Sequence, residues 1–171
     1  MTSGLHELDQ LSQALPGVQQ QPVISLPWVL VVHADDPLAA RASIDPGDLT
    51  AIRYIAYPQG SASRQRLEEN FARLGVSPPA PVGVADWDTA ILLAELGVGQ
   101  AILPALPRLV IPSGSPLRTI PIPALNPLAA GWAVRQWNAL SPLAAEFAEL
   151  VAACLDTQAG EPEGLGVREP D

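Results

Sequence analysis

The feature that most constrains the fold is an alternation of short apolar runs with helical patterns from residue 28 onward. Helical periodicity separates the second run from the third and the third from the fourth. This order is typical of an α/β fold in which strands and helices alternate around a largely parallel sheet. We predict strands at 28–32 (WVLVV), 52–57 (IRYIAY), 82–85 (VGVA) and 100–103 (QAIL).

The clearest helix lies between the second and third predicted strands. A serine, Ser61 or Ser63, suits its N-cap, and Gly75 followed by a proline pair suits its end. Its apolar residues recur at i, i+4 and i+7 and define one face: Leu67, Phe71 and Leu74.

Two further helices are predicted downstream. The first spans roughly 88–96, with Asp86 or Asp88 as its N-cap. The second begins at Ser141 and has Pro142 in its first turn, where a proline is tolerated. Its periodicity predicts one buried apolar stripe, formed by Leu143, Phe147, Leu150, Val151 and Cys154.

The remaining segments are less regular. Residues 1–22 are interpreted as a short helical or irregular stretch followed by a linker. The proline-punctuated stretch 104–130 favours edge strands or connections at RLVIP and LRTIPI, because proline cannot donate in a ladder. A further strand is predicted at 131–137, and the polar residues 157–171 are predicted to be disordered.

Composition excludes several classes of function. The net charge is -9, all nine basic residues are arginine, and none of them forms a basic run, so we expect no direct contact with nucleic acid. An acidic surface is also repelled by anionic lipids, and the longest apolar runs fall short of the roughly 20 residues that span a bilayer. The start of the chain lacks the pattern of a signal peptide, and we expect a cytoplasmic protein.

One cluster, His33 with Asp35 and Asp36, raises the question of metal or catalytic chemistry. Its spacing matches no zinc signature, and aspartates commonly occupy turns and helix caps, so a solvated turn is the favoured interpretation. His6 gains no metal partner by spacing. Cys154 is predicted to lie on a buried helix face, where a thiol acts as a small apolar group. The sequence therefore predicts no catalytic residue, metal site or cofactor.

Two strand ends have the features of a binding site. Open α/β sheets bind ligands at the carboxyl ends of their strands, where helix N-termini present free N–H groups. The first such end, YPQGSAS, has Gly60 for close approach and Gln59, Ser61 and Ser63 as donors, although a purely structural cap is an equal alternative. The second, ADWDT, carries aspartates that disfavour an anion and favour a hydroxyl or amine, and it places Trp87 at a helix start.

The order of these landmarks resembles a known family. The sequence reads LPWVLVVHADDPLA, then DLTAIRYIAYPQGSASRQRLEENFARLGVSPP, then VADWDTAILLAELGVGQAILPA, LRTIPIP and LSPLAAEFAELV. From about residue 23 to 155 this is similar to the effector-binding domain of LysR-type transcriptional regulators. Family members usually carry His-Pro-Leu-Ala where this chain has Asp36 followed by Pro-Leu-Ala, which favours a turn over a metal ligand at that position.

The resemblance implies a fold like that of type 2 periplasmic binding proteins, with a mainly parallel central sheet flanked by helices and a small-molecule effector in an inter-lobe cleft. It implies an N-terminal remnant or linker at 1–22, an effector-binding α/β lobe at 23–137, a returning C-terminal helix at 138–156 and an acidic tail at 157–171. The implied effector-binding residues are Gln59, Gly60, Ser61, Asp86, Trp87 and Pro104.

Such regulators begin with a winged helix-turn-helix and a linker helix, and the resemblance implies that this chain lacks both, together with part of the first lobe. The main hypothesis is a regulatory domain that senses a small organic molecule and modulates transcription as a homo-oligomer or paired with another regulator chain. The alternative is an interaction module that pairs with intact regulators without binding a ligand. An enzyme built on His33 and the nearby aspartates is the third hypothesis.

Overall fold

The computed structural model describes residues 5–7, 17–80, 82–105 and 114–159. The chain divides into two compact units, which we call the central unit, 25–128, and the terminal unit, 1–24 with 129–171. Among the described residues we find no helix with the length and apolarity that crossing a bilayer demands.

The strands and helices follow one another in a simple order. The strands are β1 Leu5–Glu7, β2 Gln19–Leu26, β3 Trp28–His33, β4 Tyr54–Ala56, β5 Val82–Gly83, β6 Gln100–Pro104, β7 Leu117–Pro121 and β8 Leu128–Val134. The helices are α1 Pro46–Leu49, α2 Ala62–Leu74, α3 Trp87–Glu95 and α4 Pro142–Ala159, and 3-10 turns lie at Pro37–Ala40 and Trp137–Ala139.

The central unit is built on a five-stranded sheet in the order β5-β4-β6-β3-β7. Strand β4 pairs in parallel with β5 and β6, whereas β3 pairs antiparallel with β6 and β7. Four strands therefore run in one direction and β3 runs against them. The predicted α/β fold is confirmed, and the sheet is mixed. Only a 3-10 turn and the four-residue α1 separate β3 from β4, so this stretch lacks the long crossover helix that typically joins parallel neighbours.

The core of the central unit sits on this sheet. Trp28 is fully buried at the start of β3, and its indole Nε1–H donates to the carbonyl oxygen of Asn126 at 2.9 Å. Asn70 of α2, itself buried, accepts from the Asn126 backbone N–H at 2.7 Å and so ties the helix to the same loop. The largest fully buried side chains nearby include Leu30, Ile55, Leu67, Ile102 and Ile120.

Helix α2 has the ends that the sequence predicts. The Ser61 side chain caps its start, accepting from the Arg64 backbone N–H. At the other end Gly75 adopts a left-handed φ of 67°, and the N–H of Val76 donates to the carbonyl of Phe71. This is a Schellman-type ending, which favours glycine because a Cβ is strained at positive φ.

The terminal unit contains a three-stranded sheet in the order β1-β8-β2, with β1 antiparallel to β8. The prediction of a helical or irregular stretch and linker over 1–22 is therefore wrong at β1 and β2. Neither segment has a clear strand pattern, and each is paired within a sheet whose central strand lies more than 100 residues later in the chain. The edge strand predicted at RLVIP lies outside the described residues, as do residues 160–171 of the tail that is predicted to be disordered. Residues 157–159 of that tail belong to α4, so the prediction is wrong there.

Helix α4 does not bury the stripe that the sequence predicts. The side chains of Leu143, Phe147 and Leu150 are 77%, 58% and 63% exposed, and Cys154 is exposed as well. The prediction of a buried Cys154 is wrong, because its side chain lies on the exposed part of this helix. Phe147 does approach the ring of Trp132 on β8 edge to face, with centroids 6.1 Å apart.

Candidate functional site

A cleft of about 370 Å³ opens in the central unit where two helices begin. Strands β4 and β5 are parallel neighbours, so their carboxyl ends lie at the same edge of the sheet. Helices α2 and α3 start just beyond those two ends. We call this space the helix-start cleft; it is lined by Tyr57, Pro58, Ser61, Ser63, Ala85, Asp86, Trp87 and Asp88.

The α2 side of the helix-start cleft is formed by a tight turn. The N–H of Ser61 donates to the carbonyl oxygen of Pro58 at 3.1 Å, and Gly60 at the third position of the turn has a φ of 80°. That conformation strongly favours glycine. The turn positions the Ser61 hydroxyl at the helix start, where its oxygen accepts from the Arg64 N–H at 3.3 Å.

The α3 side is formed by a second cap. Oδ1 of Asp86 accepts from the Thr89 backbone N–H at 2.7 Å, and this bond stabilises the ionised carboxylate. Backbone and side-chain hydrogen bonds with Thr89 therefore hold the pKa of Asp86 below its usual range. Trp87, half-buried, and the exposed Asp88 follow in the first turn of α3.

Tyr57, directly after β4, forms the buried wall of the cleft. Its hydroxyl donates to the carbonyl oxygen of Ile102 at 2.7 Å, and burial raises the pKa of the phenol. The neutral phenol therefore acts as a fixed structural donor. Beside the cleft, Arg64 forms an ion pair with Glu68 and donates from Nη1 to the Tyr57 carbonyl oxygen at 3.3 Å.

The structure places three of the predicted effector-binding residues, Ser61, Asp86 and Trp87, in the lining of the helix-start cleft. The other three lie elsewhere. Gln59 and Gly60 are exposed in the turn that precedes α2, and Pro104 is buried at the end of β6, opposite Trp28.

Five lining residues lie outside the six implied effector-binding residues: Ser63, which the sequence had indicated as a donor, and Tyr57, Pro58, Ala85 and Asp88. Two of the other four also had a signal in the sequence. Tyr57 is the first residue after β4, and Asp88 is in the first turn of a helix that starts at a strand end. Because ligands meet open sheets at such positions, adjacency to the strand ends was the usable criterion.

The cluster of His33, Asp35 and Asp36 forms a turn. Nδ1 of His33 accepts from the Asp35 N–H at 3.2 Å. Asp36 caps the 3-10 turn, its Oδ1 accepting from the Leu38 N–H at 2.8 Å while its Oδ2 accepts from Gln100 at 2.6 Å. Across the described ranges, no three His, Cys, Asp or Glu residues are grouped so that they could hold a metal ion. The Asp36 side chain is thus already occupied by capping.

Residues 7–155 match the family described as LysR substrate binding domain. The chain is 30% identical over 105 residues to the HTH-type transcriptional regulator CysB of Burkholderia cenocepacia, a match that covers 58% of this chain and 34% of CysB. Matches to four such regulators span 32% to 41% of the relatives' length.

Solved structures share the fold at lower sequence identity. Full-length BenM has a TM-score of 0.76 at 19% identity, with 96% of this chain and 54% of BenM covered. The effector-binding domain of QuiR in complex with shikimate has a TM-score of 0.68 at 21% identity, covering 84% of this chain and 68% of that one. At these identities the likeness shows the fold alone.

Proposed function

The chain belongs to the LysR substrate-binding-domain family of transcriptional regulators, and from that premise we propose that it senses a small organic molecule in the helix-start cleft. Domains of this family are regulatory and carry no catalytic activity. In the proposed role, the chain is part of a homo-oligomer or is paired with another regulator chain, and ligand binding at this cleft modulates transcription.

The observation that carries the proposal is the cleft itself. A concave space of about 370 Å³ is large enough for a small organic molecule, and small-molecule sites combine apolar walls with a few polar groups. Here the rings of Tyr57, Pro58 and Trp87 supply the apolar part, and Ser61 and Asp86 supply oxygen atoms at two helix starts. The effector-binding domain of QuiR, which shares this fold, was solved with a small organic molecule, shikimate.

The chain spans about a third of the length of most of the relatives that it matches. The relatives are HTH-type regulators, named for a DNA-binding helix-turn-helix. We propose that this chain does not itself bind DNA. Its net charge of -9 and its scattered arginines disfavour contact with phosphates.

The proposal is tested by a thermal-shift screen of the 171-residue protein against small organic acids, amines and alcohols. A ligand at 100 times its Kd stabilises the folded protein by about 2.7 kcal/mol. We expect at least one compound to raise the melting temperature, and Trp87→Ala to abolish that shift.

The matched control is Trp137→Ala. Trp137 is also a half-buried tryptophan, but it lies in the terminal unit. The Trp137→Ala variant should be less stable than the unmodified protein, but the ligand should still raise its melting temperature. If both tryptophan variants keep the full shift, the ligand binds elsewhere and the assignment to the helix-start cleft is wrong.

A second candidate function rests on a different observation, the exposed apolar face of α4. In this alternative the chain pairs with another regulator chain of the same family without binding a ligand. Exposed apolar stripes of this kind are typical of protein interfaces. The alternative is tested by co-expressing the chain with a full-length regulator and asking whether the two co-purify. Replacing Leu143 and Leu150 with glutamine should abolish the pairing. Trp87→Ala should leave it unchanged.

A further inference from the structure

The charge of the helix-start cleft indicates which chemical class of ligand it takes, an inference that rests on the proposed function. We propose that the effector carries a cationic ammonium group attached to an apolar or aromatic body. Two lining side chains are aspartates, Asp86 and Asp88, and none of the described lining residues is basic.

The two helix N-termini attract anions and so oppose the effect of the two aspartates. The size of their positive charge can be compared with the negative charge of the carboxylates. A helix N-terminus carries roughly half a positive charge, so α2 and α3 together contribute about one. The two carboxylates contribute two negative charges. The Asp86 carboxylate also occupies the N–H of Thr89, which an incoming anion would otherwise use. The balance is about one negative charge, which favours a cation.

The nearby arginine does not reverse this balance. Arg64 is the basic residue that contacts the cleft wall, through its bond to the Tyr57 carbonyl oxygen. Its guanidinium forms an ion pair with Glu68 on the next turn of α2, so that its charge is already matched. Asp88, in contrast, has no cationic partner among the described residues, and its exposed carboxylate is open to a ligand.

Trp87 indicates the body of the ligand. Its indole lines the same cleft as the two carboxylates and is half-buried, so it offers an apolar surface next to negative charge. An aromatic ring also attracts cations directly through its π electrons. A ligand with an ammonium group on an aromatic or apolar body satisfies both features of the lining.

The test uses three probes with the same ring and different charge: benzylamine, benzyl alcohol and benzoate. Each is titrated into the ¹⁵N-labelled protein while the indole N–H resonances of the four tryptophans are followed by NMR. Loss of one resonance in Trp87→Phe identifies Trp87. We expect benzylamine to shift that resonance with the lowest Kd and benzoate to bind at least about fivefold more weakly, since one charge pair near 4 Å in water is equivalent to that factor.

A charge-matched pair of variants locates the effect. Asp88→Asn should weaken benzylamine binding by about fivefold and strengthen benzoate binding, so the preference for benzylamine should fall by at least about fivefold. Glu95→Gln, at the far end of the same helix, removes the same charge and should leave the preference unchanged. Equal effects from both variants would mean that the preference reflects the protein's net charge, which overturns the inference.

The remaining outcomes separate this inference from the proposed function. If benzoate binds as tightly as benzylamine or more tightly and still shifts the Trp87 resonance, the cleft binds small molecules and the cationic class is wrong. If none of the three probes shifts the Trp87 resonance, the inference is overturned, and the library screen decides the proposed function independently.

Discussion

Helices α2 and α4 have the same spacing of apolar residues, but the apolar face of α2 is buried and that of α4 is exposed. In α2, Leu67 is fully buried and Phe71 is 7% exposed, with the Phe71 ring edge to face against Tyr54 of β4 at 5.7 Å. In α4, Leu143 and Leu150 are more than half exposed. Periodicity therefore predicts that a helix has an apolar face, but burial requires a second element to cover that face.

The largest effect should separate matched leucines on the two helices. Leu67→Ala removes a fully buried side chain and should lower the free energy of unfolding by about 2–5 kcal/mol. Leu150→Ala removes an exposed side chain and should change it by no more than about 0.5 kcal/mol. Urea unfolding followed by far-UV circular dichroism measures both. A cost for Leu150→Ala equal to that for Leu67→Ala would show that α4 is covered in solution.

A smaller difference should separate the serine caps of the same two helices. Ser61→Ala removes a cap whose helix is docked on the core, and should cost about 1 kcal/mol. Ser141 accepts from the Ala144 N–H at 3.3 Å, but fraying of that turn exposes little new surface. Ser141→Ala should therefore cost less than about 0.5 kcal/mol in the same unfolding assay. Equal costs would mean that helix docking does not decide the value of a cap.

The exposed stripe of α4 can be made polar without breaking its helix, because glutamine is a good helix former. We expect Leu143→Gln with Leu150→Gln to reduce the fluorescence of an apolar dye while far-UV dichroism stays unchanged. Sedimentation velocity is the control. If the unmodified protein sediments as an oligomer and the double variant does not, the stripe is an interface rather than a free surface.

The smallest predicted effect is on the pH dependence of stability. It distinguishes the aspartate cap of α3 from the serine cap of α2. The pKa of Asp86 is lowered in the folded state, so its contribution to stability is present above the pKa it has when unfolded. That contribution is lost as pH falls through the folded pKa. Asp86→Asn retains a capping oxygen without the charge, and should flatten the fall in urea midpoint below about pH 4. Ser61→Ala should leave that slope unchanged.

Much of the central unit could be predicted from sequence because its signals are local. Ser61 and Gly75 mark the ends of α2, and the run WVLVV marks β3. The strands β1 and β2 could not be predicted in the same way. Each is stabilised by pairing in a sheet with the distant β8, and a segment such as QQQP carries no alternation that indicates a partner.

The candidate site was predictable in position but not in its full lining. The rule that ligands meet the carboxyl ends of strands indicated both helix starts, and Ser61, Asp86 and Trp87 lie there. Which neighbouring side chains turn inward depends on backbone geometry. The positive φ of Gly60 is part of a turn in which it and Gln59 remain exposed, and no residue pattern reports that direction.

The position of the antiparallel strand β3 in the chain affects how the protein folds during synthesis. Its partner β7 pairs Pro121 with Val29, so the ribosome must add about 90 more residues before β3 has both neighbours. At typical rates of synthesis that takes about 5–20 s. During that time WVLVV, an uncharged and strongly apolar segment, is exposed to other nascent chains. The polypeptide is therefore most prone to aggregation before β3 is paired with both of its neighbours.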